Sequence, residues 1–172
     1  MKFRRLFILA LMVSFLKQNL CQDSLFKYDF KTAVGVRGGF TMGINIRHFF
    51  DEKGRAAEIL FGKWPDAFGV TFLLEKFKPT DVRGFHLYYG GGVHYTYGNN
   101  RNYYTTRNGR KFLYKYPGSE YSFGIDGCFG VEYKIPKVPI IINTELKPLF
   151  EFGSNADSYL YLDPALGLKV CF

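Results

Sequence analysis

The chain closes on Ala165-Leu166-Gly167-Leu168-Lys169-Val170-Cys171-Phe172. Large apolar residues fill every second position, and the positions between them hold a small residue or a charge. A period of two marks a β-strand with two unlike faces. The pattern continues backward. Ile142, Thr144, Leu146, Pro148, Phe150 and Phe152 oppose Asn143, Glu145, Lys147, Leu149 and Glu151. Tyr121, Phe123, Ile125, Phe129, Val131 and Tyr133 oppose Ser122, Gly124, Asp126, Cys128, Gly130, Glu132 and Lys134. Phe85, Leu87, Tyr89, Val93, Tyr95 and Tyr97 oppose His86, Tyr88, Gly90, Gly92, His94 and Thr96, and Phe68, Val70, Phe72 and Leu74 oppose Gly69, Thr71, Leu73 and Glu75. Shorter strands are expected near 33–39, 44–50 and 56–64, for eight in all.

Three of these strands run to twelve residues or more, whereas strands of soluble proteins average about 5–6 and a tilted membrane-spanning strand needs about 9–11. Polarity decides which face looks where. One face carries Arg37, Arg47, Glu58, Glu75, Asp126, Glu132, Lys134, Glu145, Lys147, Glu151 and Lys169, six acids against five bases, while the other is almost wholly apolar. A soluble ligand-carrying barrel puts its apolar face inside. A bilayer barrel needs the reverse, because hydrocarbon tolerates neither open sheet edges nor charges. The expected fold is therefore all-β, an eight-stranded antiparallel transmembrane up-and-down β-barrel.

Composition agrees. Of 172 residues, 19 are Phe, 13 Tyr and 19 Gly, and charged residues make up 22%, which excludes a disordered chain. A mean hydropathy of −0.10 excludes a bundle of membrane helices. Residues 1–22 read as a secretory signal peptide: Lys2, Arg4 and Arg5 precede an apolar run over 6–16, too short to span a bilayer as a helix, with cleavage expected near Cys21-Gln22-Asp23. An uncleaved anchor and a lipoprotein acylated at Cys21 are the alternatives. Residues 23–172 form one domain. The leader holds four of the 23 bases and none of the 15 acids, so the mature net charge is about +4 rather than +8, and a nucleic-acid partner loses its electrostatic support. Cys128 and Cys171 remain, on one face but too far apart in the strand order to bridge, and are expected as free thiols.

Connections alternate in length. Residues 51–55, 79–83 and 134–139 are tight turns, while 98–120 is a long excursion; 64–67 and 153–158 are intermediate, and 40–43 is short for its side. Short turns on the side of both chain ends and longer loops opposite are the bacterial outer-membrane pattern, with both termini periplasmic.

The segments Gly35-Val36-Arg37-Gly38-Gly39, Tyr89-Gly90-Gly91-Gly92, Gly124-Ile125-Asp126-Gly127, Gly130-Val131-Glu132-Tyr133-Lys134 and Leu146-Lys147-Pro148 resemble the small outer-membrane β-barrel proteins of Bacteroidota, in the style of the OmpX and OmpA membrane domains, over roughly 33–172. The resemblance implies a location and no agreed activity. It also implies that Leu168, Val170 and Phe172 form the terminal signal read by the barrel-assembly machinery.

Candidate sites follow from this frame. An eight-stranded barrel is just wide enough inside for side chains, so the inward charges are expected as a packed salt-bridge network and not an ion path. In the long loop, Arg101, Arg107, Arg110, Lys111 and Lys115 stand among Tyr103, Tyr104, Phe112, Tyr114 and Tyr116, a surface suited to anionic groups such as lipopolysaccharide phosphates or acidic sugars. No enzyme, metal or cofactor is expected. His86 and His94 are about 27 Å apart along a strand, and Asp126 and Glu132 about 20 Å, too far to share a metal or act as a glycosidase pair. Ser122, His94 and an inward acid could form a triad on spacing alone, without a G-x-S-x-G motif. Gly90-Gly91-Gly92 lies within a strand and reads as a bend. Trp64 and Tyr97 read as interface-belt aromatics. The leading function is a structural or surface-interaction role in contact with outer-membrane lipid and lipopolysaccharide. The alternatives are an accessory subunit of a larger outer-membrane complex and a lipid-modifying enzyme.

Overall fold

The computed structural model describes residues 29–64, 67–99, 102–107, 110–115, 119–153 and 159–172. The expected leader and Arg101 lie outside them. In chain order the strands are β1 (Thr32–Gly39), β2 (Met42–Phe49), β3 (Arg55–Trp64), β4 (Ala67–Pro79), β5 (Phe85–Asn99), β6 (Asn102–Arg107), β7 (Arg110–Lys115), β8 (Ser119–Lys134), β9 (Ile140–Gly153) and β10 (Tyr159–Cys171). Eight of them close into an antiparallel barrel; β6 and β7 form a separate hairpin between β5 and β8. β1 seals the cylinder against β10, with Ala33 opposite Cys171 and Gly39 opposite Ala165. Closure leaves no unpaired sheet edge.

The alternation read from the sequence is the alternation of the wall. On β10, Leu166 is 67% exposed and Lys169 0%. Strand β10 starts at 159, six residues before the expected 165, because Pro164 sits within the ladder opposite Leu146 and does not end the strand. A second proline, Pro148, leaves its mark on the β8–β9 ladder, which passes from Asp126–Leu149 to Phe129–Leu146 without a change of register. Pro148 has no N–H to donate there.

The interior is layered. At the end that carries the chain ends, Phe30, Phe49, Phe77, Ile141 and Cys171 form an apolar plug, with Phe49 edge-on to Phe30 at 5.8 Å and to Phe77 at 5.0 Å. At the opposite end Trp64, Ala67 and Leu149 pack together with Tyr161, and Phe40 stacks on Tyr161 at 6.0 Å. The charged residues lie between these plugs. Trp64 is therefore not a belt residue: it is 4% exposed and turned inward, because position 64 shares the inward parity of Glu58 and Leu60. Tyr97 faces outward beside Tyr121, ring centroids 5.2 Å apart.

The turns at the chain-end rim are tight. Gly54 and Gly84 take positive φ, 77° and 82°, where a side chain is strained; at Gly84 a Cβ would also stand 2.6 Å from the Lys134 carbonyl oxygen. Asp51 accepts the backbone N–H of Lys53 at 3.0 Å and of Arg55 at 2.9 Å, and pairs with the Arg55 guanidinium. Slight desolvation alone would raise its carboxyl, but these N–H groups and Arg55 hold it below the usual carboxylate range. A lowered folded value adds stability above the ordinary pKa that is lost as pH falls through the folded one. Amide exchange at Lys53 and Arg55 should quicken as the medium is acidified through that range; an exchange rate that follows only the intrinsic pH trend would contradict the role given to Asp51.

Candidate functional site

Arg47, on β2, organises the barrel's middle. Its guanidinium lies 2.8 Å from Glu58, 2.7 Å from Glu75 and 2.7 Å from Glu132, and stands over the rings of Phe77 and Tyr88 at 4.7 and 5.0 Å. Glu58 also accepts from Lys169 Nζ at 2.7 Å and Asn45 Nδ2 at 2.7 Å. Above it, Arg37 bridges Glu145 at 3.1 Å and Asp163 at 3.0 Å, and Tyr88 donates its hydroxyl to Glu145 at 3.0 Å while accepting from Asn143 at 2.9 Å. Lys147 lies 3.4 Å from Asp126 and 3.9 Å from Asp163, with its ammonium 5.7 Å over the Trp64 ring. Glu151 accepts from Ser122 and Thr96. Each of these charged groups comes from a different inward-facing strand position, so pairing them ties distant strands together.

Ten of the eleven inward charges read from the sequence are buried in this band. Lys134 is the exception. It has inward parity but sits at the rim, where its ammonium donates to the carbonyls of Val138 at 3.1 Å and Ile135 at 3.5 Å. Asp163, unread because Pro164 masked its strand, joins instead. Its carboxylate accepts from Phe40 N at 3.0 Å, Thr41 N at 3.3 Å and Thr41 Oγ1 at 2.5 Å, which fixes the two-residue turn between β1 and β2. The band thus holds seven buried carboxylates against four buried Lys and Arg, not the near-balance expected. Asn45, Tyr88, Asn143 and Thr96 complete it; inward parity alone could have flagged each of them.

Among the described residues the serine, histidine and acid do not line up as a triad. His94 Nδ1 contacts Asp126 at 2.8 Å, but Ser122 gives its hydroxyl to Glu151 and shares a 2.5 Å contact with Thr96. His94 Nε2, the nitrogen a triad would turn to the serine, has no hydrogen-bond partner among the described residues. Ligand atoms of Glu75, Cys128 and Glu145 lie within 4.8 Å of one another. Their carboxylate oxygens face Arg47, Arg37 and Tyr88. Cys128 and Cys171 are both free and buried.

The long loop is a hairpin. β6 and β7 pair antiparallel with Arg107 opposite Arg110, Thr106 opposite Lys111 and Asn102 opposite Lys115. At the opposite rim, Leu168, Val170 and Phe172 all face outward, each at least half exposed.

No family model matches the sequence, and no curated protein matches it. Among solved structures the chain is similar to the N-terminal β-barrel domain of Pseudomonas aeruginosa OprF, with a TM-score of 0.49 and 13% identity over 83% of this chain and 96% of that domain. That is a likeness of backbone course alone.

Proposed function

We propose that this chain is a non-catalytic outer-membrane β-barrel protein, with both termini on the periplasmic side, that acts at the outer surface through the β6–β7 hairpin. The observation that carries the reading is the pairing of an exposed apolar wall with an interior closed at both ends by aromatic plugs around a buried ionic band. Such a wall needs hydrocarbon around it, and such a lumen does not conduct. Function then falls to what projects beyond the barrel. The β6–β7 ladder pairs Arg107 with Arg110, and the two strands also carry Tyr103, Phe112 and Tyr114. An anion supplies a charged partner to so basic a segment, and its aromatic residues offer contact area. Lipopolysaccharide phosphates and acidic sugars are the anions within reach. Leu168, Val170 and Phe172 serve the barrel-assembly machinery during insertion.

Two measurements test this. The outer-membrane fraction, run on a gel with and without boiling, should show a band whose mobility shifts on heating; a chain that stays monodisperse in buffer without detergent would refute the membrane reading. The folded protein should bind immobilised lipopolysaccharide in a salt-sensitive way. Replacing Arg107, Arg110 and Lys111 by Gln together should weaken that binding by about tenfold to a hundredfold, since each exposed charge pair contributes about 0.5–1 kcal/mol. Comparison of dephosphorylated lipopolysaccharide with an acidic polysaccharide separates the two anion sources. Binding that the triple variant leaves unchanged rules out the hairpin.

A further inference from the structure

The outer wall is not uniformly filled. A hollow of about 890 Å³ crosses β4, β5, β8, β9 and β10 on the outside of the barrel. Register explains it. One row around the wall is Pro164, Leu146, Phe129 and Tyr89; the next, toward the chain-end rim, is Thr144, Val131, Leu87 and Lys78. Pro164, Thr144 and Val131 are short, whereas Phe129, Tyr89, Leu146 and Leu87 stand out from the wall at 40–56% exposure. The short side chains form a trough between bulky ones. Gly130 lies in its floor, and there the barrel has no room for a larger residue: a Cβ on Gly130 would meet the Tyr88 ring.

The trough is mostly apolar; Tyr88 and Glu145 also border it, but they turn inward, to each other and to Arg37. Thr144 donates its hydroxyl to the Ala165 carbonyl at 3.4 Å, so it offers no free donor to an occupant. Five neighbouring strands about 4.8 Å apart make the trough about 19 Å long. It ends at Lys78, half-buried, with its ammonium over the Tyr89 ring at 5.8 Å and no hydrogen bond or ion pair among the described residues. Lys76, two residues away, donates instead to the Lys53 carbonyl at 2.5 Å. A long apolar channel open along the hydrocarbon side, closed at the rim by one unpaired cation, fits a molecule that is a chain with an anion at one end.

We propose that this trough is a site for one acyl chain of an anionic glycerophospholipid, with the phosphate beside Lys78, in the leaflet on the side of the chain termini. The inference rests on the membrane reading above and adds a specific lipid contact to it. A partner protein would bring a compact side chain or a second surface to the wall, and neither matches a channel one row wide that ends on a cation.

The test uses the full mature chain, extracted in a non-ionic detergent and supplied with equal amounts of phosphatidylglycerol and phosphatidylethanolamine, with retained lipid read by native mass spectrometry. The wild type should keep one phosphatidylglycerol in preference to phosphatidylethanolamine. Lys78→Glu should cut that retention about fivefold, the contribution of one lysine beside an anionic headgroup, and erase the preference. Val131→Trp should fill the trough and remove retention, while Ile46→Trp on the far wall should not. All three variants are outward-facing, and the heat-shift gel reports whether each has folded. Equal retention of the two lipids, indifference to both Lys78→Glu and Val131→Trp, or a dimer that Val131→Trp dissociates would overturn the proposal. A wild type that shows no heat shift defeats the membrane reading and the trough with it. A heat-shifting wild type that holds no lipid defeats the trough alone.

Discussion

Arg47→Met should lose about 3–5 kcal/mol of folding stability, read as a fall in the urea midpoint for loss of the heat-shifting form, because removing one partner of a buried ion cluster leaves uncompensated charge behind. Arg47 is fully buried and its guanidinium touches Glu58, Glu75 and Glu132 together. Methionine keeps the volume and the contact with Phe77 and Tyr88 but removes the charge. Glu58 retains Lys169 and Asn45, so the loss falls on Glu75 and Glu132. Adding Glu75→Gln and Glu132→Gln to the variant should therefore recover most of the deficit. Arg47→Lys should recover little, since one ammonium cannot reach three carboxylates through separate nitrogens as the planar fork does. If Arg47→Met unfolds at the wild-type midpoint, the cluster is not what holds this part of the barrel.

The same cluster shows where a sequence is legible and where it is not. Arg47, Glu58, Glu75 and Glu132 were readable as inward because parity in a strand depends only on counting residues. That Arg47 meets all three was not, because the contact depends on the stagger of four separate strands, and stagger is a property of barrel closure. Lys134 marks a related limit: parity assigns a face but not a depth, so a correct face at a strand end led to a rim position. Trp64 looked like a belt aromatic by its place near a turn, yet its inward parity set the ring over the Lys147 ammonium. Asp163 was hidden by Pro164, since a proline in an apparent strand reads as its end. A barrel strand that keeps pairing through proline is recognised only from its partner, here Leu146. The partner of the turn after β1 was hidden with it: the Asp163 carboxylate that holds Phe40 and Thr41 comes from more than a hundred residues away. The 98–120 segment read as a basic, aromatic loop; only its ladder sets Arg107 opposite Arg110.

Leu166→Arg should cost about 2–4 kcal/mol in lipid, whereas Val170→Arg should cost about 0–1, since a cation on the lipid face is penalised most at the bilayer midplane and little near the interface. Both residues face outward on β10, at 67% and 50% exposure. Leu166 lies midway between Leu160 near one rim and Phe172 at the other, about 20 Å of strand from each, or about 15 Å of depth at the tilt of a small barrel. That is half the thickness of a hydrocarbon core of about 30 Å. Val170 is two residues from the end, where an arginine can extend its guanidinium to the headgroups. The folded fraction of each variant in vesicles, set against the wild type, measures the difference. A soluble protein whose apolar face awaited some other partner would show no such dependence on depth, and both arginines would then be tolerated alike. Lys169 supplies the inward counterpart. It lies between these two positions in the chain and is fully buried against Glu58; a leucine there would leave Glu58 to Arg47 and Asn45 and take one of the few cations from a band already rich in carboxylates. Charge added to the wall at Leu166 and charge removed from the lumen at Lys169 should both fail, three residues apart, because the alternation that opens this strand is a division between two solvents.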